Sequence, residues 1–403
     1  MTEQVNTPEL RFPEFNEEWR EFNLKDISTK KSKKNKNKLY NETFTNSAEY
    51  GIVSQKDYFY KEISNVRNLS NYYIVDPDDF VYNPRISRLA PVGPINRNKL
   101  NRIGVMSPLY TVFSTKLPIK SFLEYYFKTT KWHKFMKLNG DSGARSDRFT
   151  IKQSLFVKMP IVLPSEQEQE KIGYFFSKLD QQIELEEKKL ELLEQQKRGY
   201  MQKIFSQELR FQNENRSDYP NWKKITIKEV ANLTAGKGKK NENKGKYIIM
   251  DMGTVTKNGT MLTHKSTPYE SDLLNKGDLV MPKDDIGGGH IIGKTVFIPE
   301  SHKYVLGDHV YRLEIKNCNS LFLHYYINSD IVNHSLKRKV TGSAQLGLNR
   351  KSVEEEVIKT PCLEEQGKIG NLFNKIDNLI ELQIDKIELL KQRKQGLLQK
   401  MFV

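Results

Sequence analysis

The sequence predicts an α+β protein: two mixed α/β domains joined by two long antiparallel coiled-coil helices, with a pseudo-two-fold internal repeat. Three observations predict it. A 42-residue stretch occurs twice, each copy carries an apolar seam at heptad spacing, and the segments preceding the copies repeat more faintly with mixed strand and helix patterning.

The repeat comes first. Residues 164–205 read PSEQEQEKIGYFFSKLDQQIELEEKKLELLEQQKRGYMQKIF, and residues 361–402 read PCLEEQGKIGNLFNKIDNLIELQIDKIELLKQRKQGLLQKMF. At a constant offset of 197, 22 of 42 positions are identical without a gap. Apolar residues alternate by four and three: Ile172, Phe176, Leu179, Ile183, Leu190, Leu193, Tyr200 and Ile204 in one copy, and Ile369, Phe373, Ile376, Ile380, Ile387, Leu390, Leu397 and Met401 in the other. That spacing is a coiled-coil seam. Each copy interrupts it at the same two places, Glu186 and Lys197 against Gln383 and Lys394. Polar seam residues cost stability and fix register. Leu185, Leu192, Leu382 and Leu389 widen the stripe, so each helix is expected to meet more than one partner. Pro164 and Pro361 precede the helices, and Ser165 with Glu168 reads as a capping box. Cys362 stands where that serine would be, which predicts a less well capped start. At 1.5 Å per residue, roughly 37 helical residues make a rod of about 55 Å.

The fainter repeat delimits the domains. ELRF occurs at residues 9–12 and 208–211, EWREFNLKDIS around Trp19 matches NWKKITIKEVA around Trp222, and DDFVY at 78–82 faces KGDLVM at 276–281. Tyr125 and Tyr126 correspond to Tyr325 and Tyr326. Small-residue loops follow, GDSGARSDR and TGSAQLGLNR. The expected organisation is a first domain over 1–163, a helix over 164–206, a second domain over 207–360 and a second helix over 361–403. A circular arrangement also follows, with the N-terminal ELRF packing where the last helix ends.

Composition narrows the function. The 403 residues are 37% apolar and 29% charged, which suits extended surfaces better than one compact globule. No run of about 18 apolar residues could span a membrane, and the first residues lack a secretory pattern. Cys318 and Cys362 stand far apart, so neither a disulfide framework nor a zinc site is expected, and the expected location is the cytoplasm. Net charge is +15. The helical stretches contribute −2 and +1, which leaves +16 on the remaining chain. A basic surface commonly serves nucleic acid.

The charge is clustered. Lys30, Lys31, Lys33, Lys34, Lys36 and Lys38 occupy nine residues, and Lys237, Lys239, Lys240 and Lys246 recur at the equivalent place. Without apolar periodicity these stretches read as mobile loops that grip phosphates. Base reading needs Arg or Lys for guanine and Asn or Gln for adenine. The expected carriers are Arg85, Arg88, Arg145 and Arg148 in the first domain. In the second they are Lys283, His290, Gln345, Asn349 and Arg350, with Asp284 and Asp285 alongside. These sets differ while the helices do not, as two unlike readers on one frame require.

Residues 287–295, GGGHIIGKT, contain G-x-x-x-x-G-K-T, the phosphate-cradling loop pattern. That loop needs a strand before it and a helix after it. Here TVFIPE follows, β-branched and closed by Pro299, and reads as a strand. The alternative of a nucleotide-dependent DNA-processing enzyme rests on this stretch alone. The preferred reading is a hairpin loop in which His290 and Lys294 are candidates for DNA contact. No Asn-Pro-Pro-aromatic methylation motif occurs, the seven histidines are scattered, and no catalytic or metal site is expected.

The tandem of α/β domains, each followed by a repeated helix, resembles the specificity subunit of type I restriction-modification systems. The resemblance is carried by P-x-x-x-E-Q-x-x-I at Pro164, Glu168, Gln169 and Ile172 and again at Pro361, Glu365, Gln366 and Ile369. Gly277, Asp278 and Leu279 before Gly293 and Lys294, and the loop at 342–344, add to it. It spans nearly the whole chain. The resemblance implies two target recognition domains, each reading half of a bipartite double-stranded DNA site. It also implies helices that set the half-site distance and dock two methyltransferase subunits. Those partners would use S-adenosylmethionine, separate restriction and motor subunits would use ATP and Mg2+, and this chain would hold no cofactor. The first domain departs from the second in having NPRISRLAPVGPIN where the other has its glycine-rich loop.

Overall fold

The structure, a computed structural model, describes residues 6–59, 66–116, 119–141, 147–242, 245–342 and 346–403. The chain forms two compact units, residues 1–186 with 386–403, and residues 187–385.

In the first unit, strands β1 (Arg20–Asn23), β2 (Ser28–Lys31), β3 (Phe80–Tyr82), β4 (Ile95–Arg97) and β5 (Thr111–Thr115) lead into helix α1 (Ile119–Tyr126). Strand β6 (Pro160–Leu163) then runs into the long helix α2 (Glu166–Phe205), whose first half belongs to this unit. Four strands form an antiparallel sheet in the order β2-β5-β3-β4. The central strand, Phe-Val-Tyr, is buried throughout, as a short continuous apolar run predicts. Apart from this sheet, β1 pairs with β6, Arg20 opposite Leu163.

The second unit repeats the plan. Strands β7 (Lys223–Thr226), β8 (Ala231–Ala235), β9 (Leu279–Pro282), β10 (Asp284–Asp285), β11 (Val296–Phe297) and β12 (Val310–Ile315) precede helix α3 (Ser320–Asn328). Strand β13 (Leu346–Gly347), helix α4 (Arg350–Glu354) and strand β14 (Val357–Thr360) lead into the second long helix, α5 (Leu363–Lys400). The sheet order is β8-β12-β9-β11, and β7 pairs with β14, Lys223 opposite Thr360. Even the register repeats: Phe80 faces Phe113, and Leu279 faces Leu313.

The cores repeat as well. Trp19 meets Phe122 edge-on at 5.7 Å, and Trp222 meets Phe322 at 5.8 Å. Tyr125 packs on Phe176, as Tyr325 does on Phe373, both at 5.2 Å. Phe402 closes the first core against Phe122 and Phe176, and Phe205 closes the second against Phe322 and Phe373. Each core is thus one domain plus the start of one long helix and the end of the other.

Within each unit the long helices run antiparallel. Lys394 bonds Asp180 and Lys386 bonds Glu186 in the first, and Lys197 bonds Asp377 at 2.6 Å in the second. The seam residues Ile172, Phe176, Ile183, Ile369, Phe373, Ile376 and Ile387 are buried, while Leu179, Leu190, Leu193, Ile380 and Leu390 are half-buried. The two seam lysines owe their place to one arrangement made twice. Tyr125 donates to Asp180 and Tyr325 to Asp377, each tyrosine lying within 5.8 Å of the lysine that bonds the same aspartate.

The P-x-x-x-E-Q-x-x-I repeat has a structural meaning that differs from the capping box expected of it. Glu168, fully buried, takes a two-pronged ion pair from Arg11 at 2.7–2.8 Å, and Glu365 takes one from Arg210 at 2.7–3.1 Å. Only the Ser165 half of the box forms, with Glu168 N–H 3.4 Å from Ser165 Oγ. Gln169 and Gln366 donate back to the carbonyls of Pro164 and Pro361, both at 2.8 Å, so the start with Cys362 is secured like the other. The ELRF segments also take matching positions. Leu10 N–H donates to the Lys400 carbonyl at the end of α5, as Leu209 N–H does to the Lys203 carbonyl at the end of α2.

Candidate nucleic-acid interface

The lysine clusters are more ordered than their composition suggests. Lys30 and Lys31 lie in β2, Lys34 bridges Tyr73, and the Lys33 carbonyl accepts from Ile74 N–H. Asn35 is buried and ties the turn by exchanging hydrogen bonds with Tyr40. This segment is pinned to the domain; the expectation of a mobile loop does not hold here. Lys31 points inward, bonded to Asp76 at 2.6 Å and Asp79 at 3.0 Å, whereas Lys30, Lys33, Lys34, Lys36 and Lys38 are exposed. In the second unit Lys239 is held by Ser271 and Asp272, and Lys240 pairs with Glu242 at 2.8 Å. Lys237 is exposed.

The loops expected to read bases converge in each unit. The chain leaving β3 runs beside the segment that follows the small-residue loop: Arg85 bridges Arg148, Ile86 N–H donates to the Asp147 carbonyl, and Phe149 N–H to the Pro84 carbonyl. In the second unit β10 pairs with β13, Asp284 opposite Gly347, and Leu348 N–H donates to the Lys283 carbonyl. Both pairs of loops, widely separated in sequence, therefore form one notch at the exit of the central strand. The first notch opens into a cavity of about 620 Å³ lined by Tyr58, Asn83, Arg85, Arg88, Leu109 and Arg148, among others. Arg85 and Arg88 are exposed, and Arg148 is half-buried. In the second, Lys283 Nζ and His309 Nδ1 both bond Asp284 Oδ2, at 2.6 and 2.7 Å. Partial burial pushes the Asp284 carboxyl up, but these two neighbours outweigh it and hold the group below the usual carboxylate range. His309 carries no signal in the sequence as part of this site, because it lies 25 residues from its partner.

Other candidates serve the fold. Lys294, half-buried, donates to the Asn328 carbonyl at 2.8 Å, and burial pulls its ammonium pKa down. Asn349 caps α4 by accepting from Ser352 N–H, and Arg350 pairs along that helix with Glu354 at 2.7 Å. His290 is exposed. Arg145 and Gln345 lie outside the described residues.

The glycine-rich stretch does not form a phosphate cradle. Gly288, Gly289 and Gly293 take positive φ, a conformation glycine adopts at little cost. The amides of Gly287 and Ile291 turn onto the buried Asp285 carboxylate at 2.6 and 3.0 Å. An acid already occupies the place an anion would need, and strand β11 follows where a phosphate loop requires a helix. Among the described residues no group of three or more His, Cys, Asp or Glu side chains is arranged to hold a metal ion, and no helix is long and apolar enough to cross a membrane.

The chain thus holds two copies of one frame, each with a notch of different polar chemistry at the exit of its central strand. The model for the type I restriction modification DNA specificity domain matches residues 16–195 and again 219–392, and the chain belongs to that family. It is the specificity subunit of a type I restriction-modification system. A curated relative is the type I restriction enzyme MjaVIII specificity subunit of Methanocaldococcus jannaschii, 26% identical over 315 residues, which cover 73% of this chain and 69% of that one. Among solved structures, the S subunit of a type I restriction-modification system from M. genitalium is similar over 98% of this chain and 99% of that one, with TM-score 0.57 at 15% identity. A chain from a study of assembly and conformational transition of a type I system matches at TM-score 0.57 and 14% identity, covering 95% of this chain and 97% of that one. These structural likenesses support the fold.

Proposed function

We propose that this chain is a non-catalytic subunit whose two domains, residues 1–163 and 207–360, each read one half of a bipartite double-stranded DNA target. The helical stretches, residues 164–206 and 361–403, act as the spacer that sets the distance between half-sites. Two methyltransferase subunits dock on them, and restriction and motor subunits join through the complex. S-adenosylmethionine, ATP and Mg2+ belong to those partners, and the complex works in the cytoplasm. The observation that carries the reading is the contrast inside one chain. Cores, register and ion pairs repeat, while Arg85 and Arg148 stand at one notch and Asp284 and Gly347 at the other.

The exposed leucines favour helical docking: Leu185, Leu192, Leu382 and Leu389 are each about two-thirds accessible. Their i, i+7 spacing makes one apolar row on each helix. The test is to map methylated adenines in DNA exposed to the chain together with its methyltransferase subunits. A split target, two short specified blocks around an unspecified gap, is the expected result; a single contiguous site overturns the two-reader proposal.

A further inference from the structure

The two notches occupy the same place in their frames and carry opposite hydrogen-bonding chemistry. The bond from Phe149 N–H to the Pro84 carbonyl and that from Leu348 N–H to the Lys283 carbonyl, both 2.7 Å, fix one backbone geometry at both sites. On that backbone Arg85 and Asp284 stand at matching positions, each the first of its loop to bridge the opposing segment. Arg85 is 68% exposed and makes only a loose 3.7 Å pair with Asp147. A guanidinium there offers donors and no acceptor. Asp284 is only 16% exposed, and both of its bonds fall on Oδ2, which orients Oδ1 as an acceptor. The Lys283 ammonium also offsets the repulsion between a carboxylate and DNA. The turn at the start of the central strand, at the far end from the notch, does not show this divergence. Asp79 and Asp278, for instance, both cap the turn before the central strand and both take a basic partner, Lys31 and Arg312.

We infer that this position is the base discriminator of each domain: Arg85, backed by Arg148, selects guanine in one half-site, and Asp284, oriented by Lys283 and His309, selects cytosine in the other. Arginine forks onto guanine O6 and N7, and a carboxylate accepts from the cytosine 4-amino group. The remaining exposed lysines then hold phosphates and set the register without choosing bases. This assignment rests on the two-reader function proposed above.

The test assembles the full chain with its methyltransferase subunits and selects from a randomised duplex library, comparing wild type with Arg85→Ala and Asp284→Asn. For Arg85→Ala, guanine preference at one position of one half-site should fall by about 5- to 150-fold, the range one bidentate contact supports. Asp284→Asn should exchange cytosine for adenine at one position of the other half-site, because asparagine pairs with adenine N6 and N7. In each variant the untouched half-site serves as the folding control. Unchanged preferences in both halves overturn the assignment and leave the two-reader function standing. A uniform loss over all sequences makes the mutated group a phosphate contact and also overturns it. A wild-type complex that selects no split motif removes the function on which the assignment rests.

Discussion

His324 shows how a single side chain ties this fold to solution conditions. It sits in the core of the second unit beside Thr295 Oγ1 at 3.1 Å, and burial, then the nearby Lys197 and Lys294, lowers its pKa to about 3. A histidine ordinarily titrates near 6.5. The folded state therefore holds the ring neutral where the unfolded chain protonates it. Stability from this residue is complete above pH 6.5 and declines as pH falls toward 3, by up to about 1.4 kcal/mol per pH unit. Urea unfolding followed from pH 7.5 to 5 should show that loss in wild type and a flatter profile in His324→Gln. A buried ion pair gives a second prediction. Arg11→Ala leaves Glu168 charged, buried and unpaired, and should destabilise by about 3–5 kcal/mol; Arg210→Ala should do the same to Glu365. Equal urea midpoints for Arg11→Ala and wild type would refute it. Partnerships of this kind were illegible beforehand. In the sequence Lys31 is one more lysine of a phosphate-gripping loop, because its carboxylates lie 45 and 48 residues away, in the turn before the central strand. Lysine is long enough to turn inward when burial supplies an acid, and composition alone cannot say which lysine will.

The long helices were legible because they follow one rule over five heptads: every apolar seam position foreseen is buried or half-buried. Short strands and loops obey no such sustained period, so their convergence at the notches emerged only from the folded chain. The helices also contain glycines of two kinds. Gly173 and Gly370 lie under α1 and α3, where an added Cβ would come within 2.5 Å of Ser121 Cβ and 2.9 Å of Leu321 Cβ. Gly199 and Gly396 have nothing within 4 Å. Gly173→Ala should therefore cost about 1–3 kcal/mol through overpacking. Gly199→Ala should stabilise by up to about 1 kcal/mol through helix propensity. Thermal melts of the two variants should move in opposite directions. For the exposed row, Leu185→Gln with Leu192→Gln should change stability within about 0.5 kcal/mol yet weaken co-purification with the methyltransferase subunits. Retained co-purification would remove that row from the docking surface.

At the scale of the molecule, duplication made the architecture readable from one sequence, because each copy serves as a control for the other. Where the copies agree, in Trp19 and Trp222 or Arg11 and Arg210, the residue serves the frame. Where they disagree, as at Arg85 and Asp284, it is free to specialise. DNA binding by the assembled complex should fall steeply with salt, with a log-log slope of roughly −0.9 per phosphate contacted. A flat response would separate the basic segments from DNA. The docking of the N-terminal segment has a practical use. Glu9 and Lys400 form a 2.6 Å ion pair although 391 positions separate them along the chain. A donor and an acceptor fluorophore placed at these two residues would report strong energy transfer from within the first unit alone. The signal would stay constant while DNA or partner subunits bind and vanish only when the first unit melts, giving an internal reference for binding experiments on the complex.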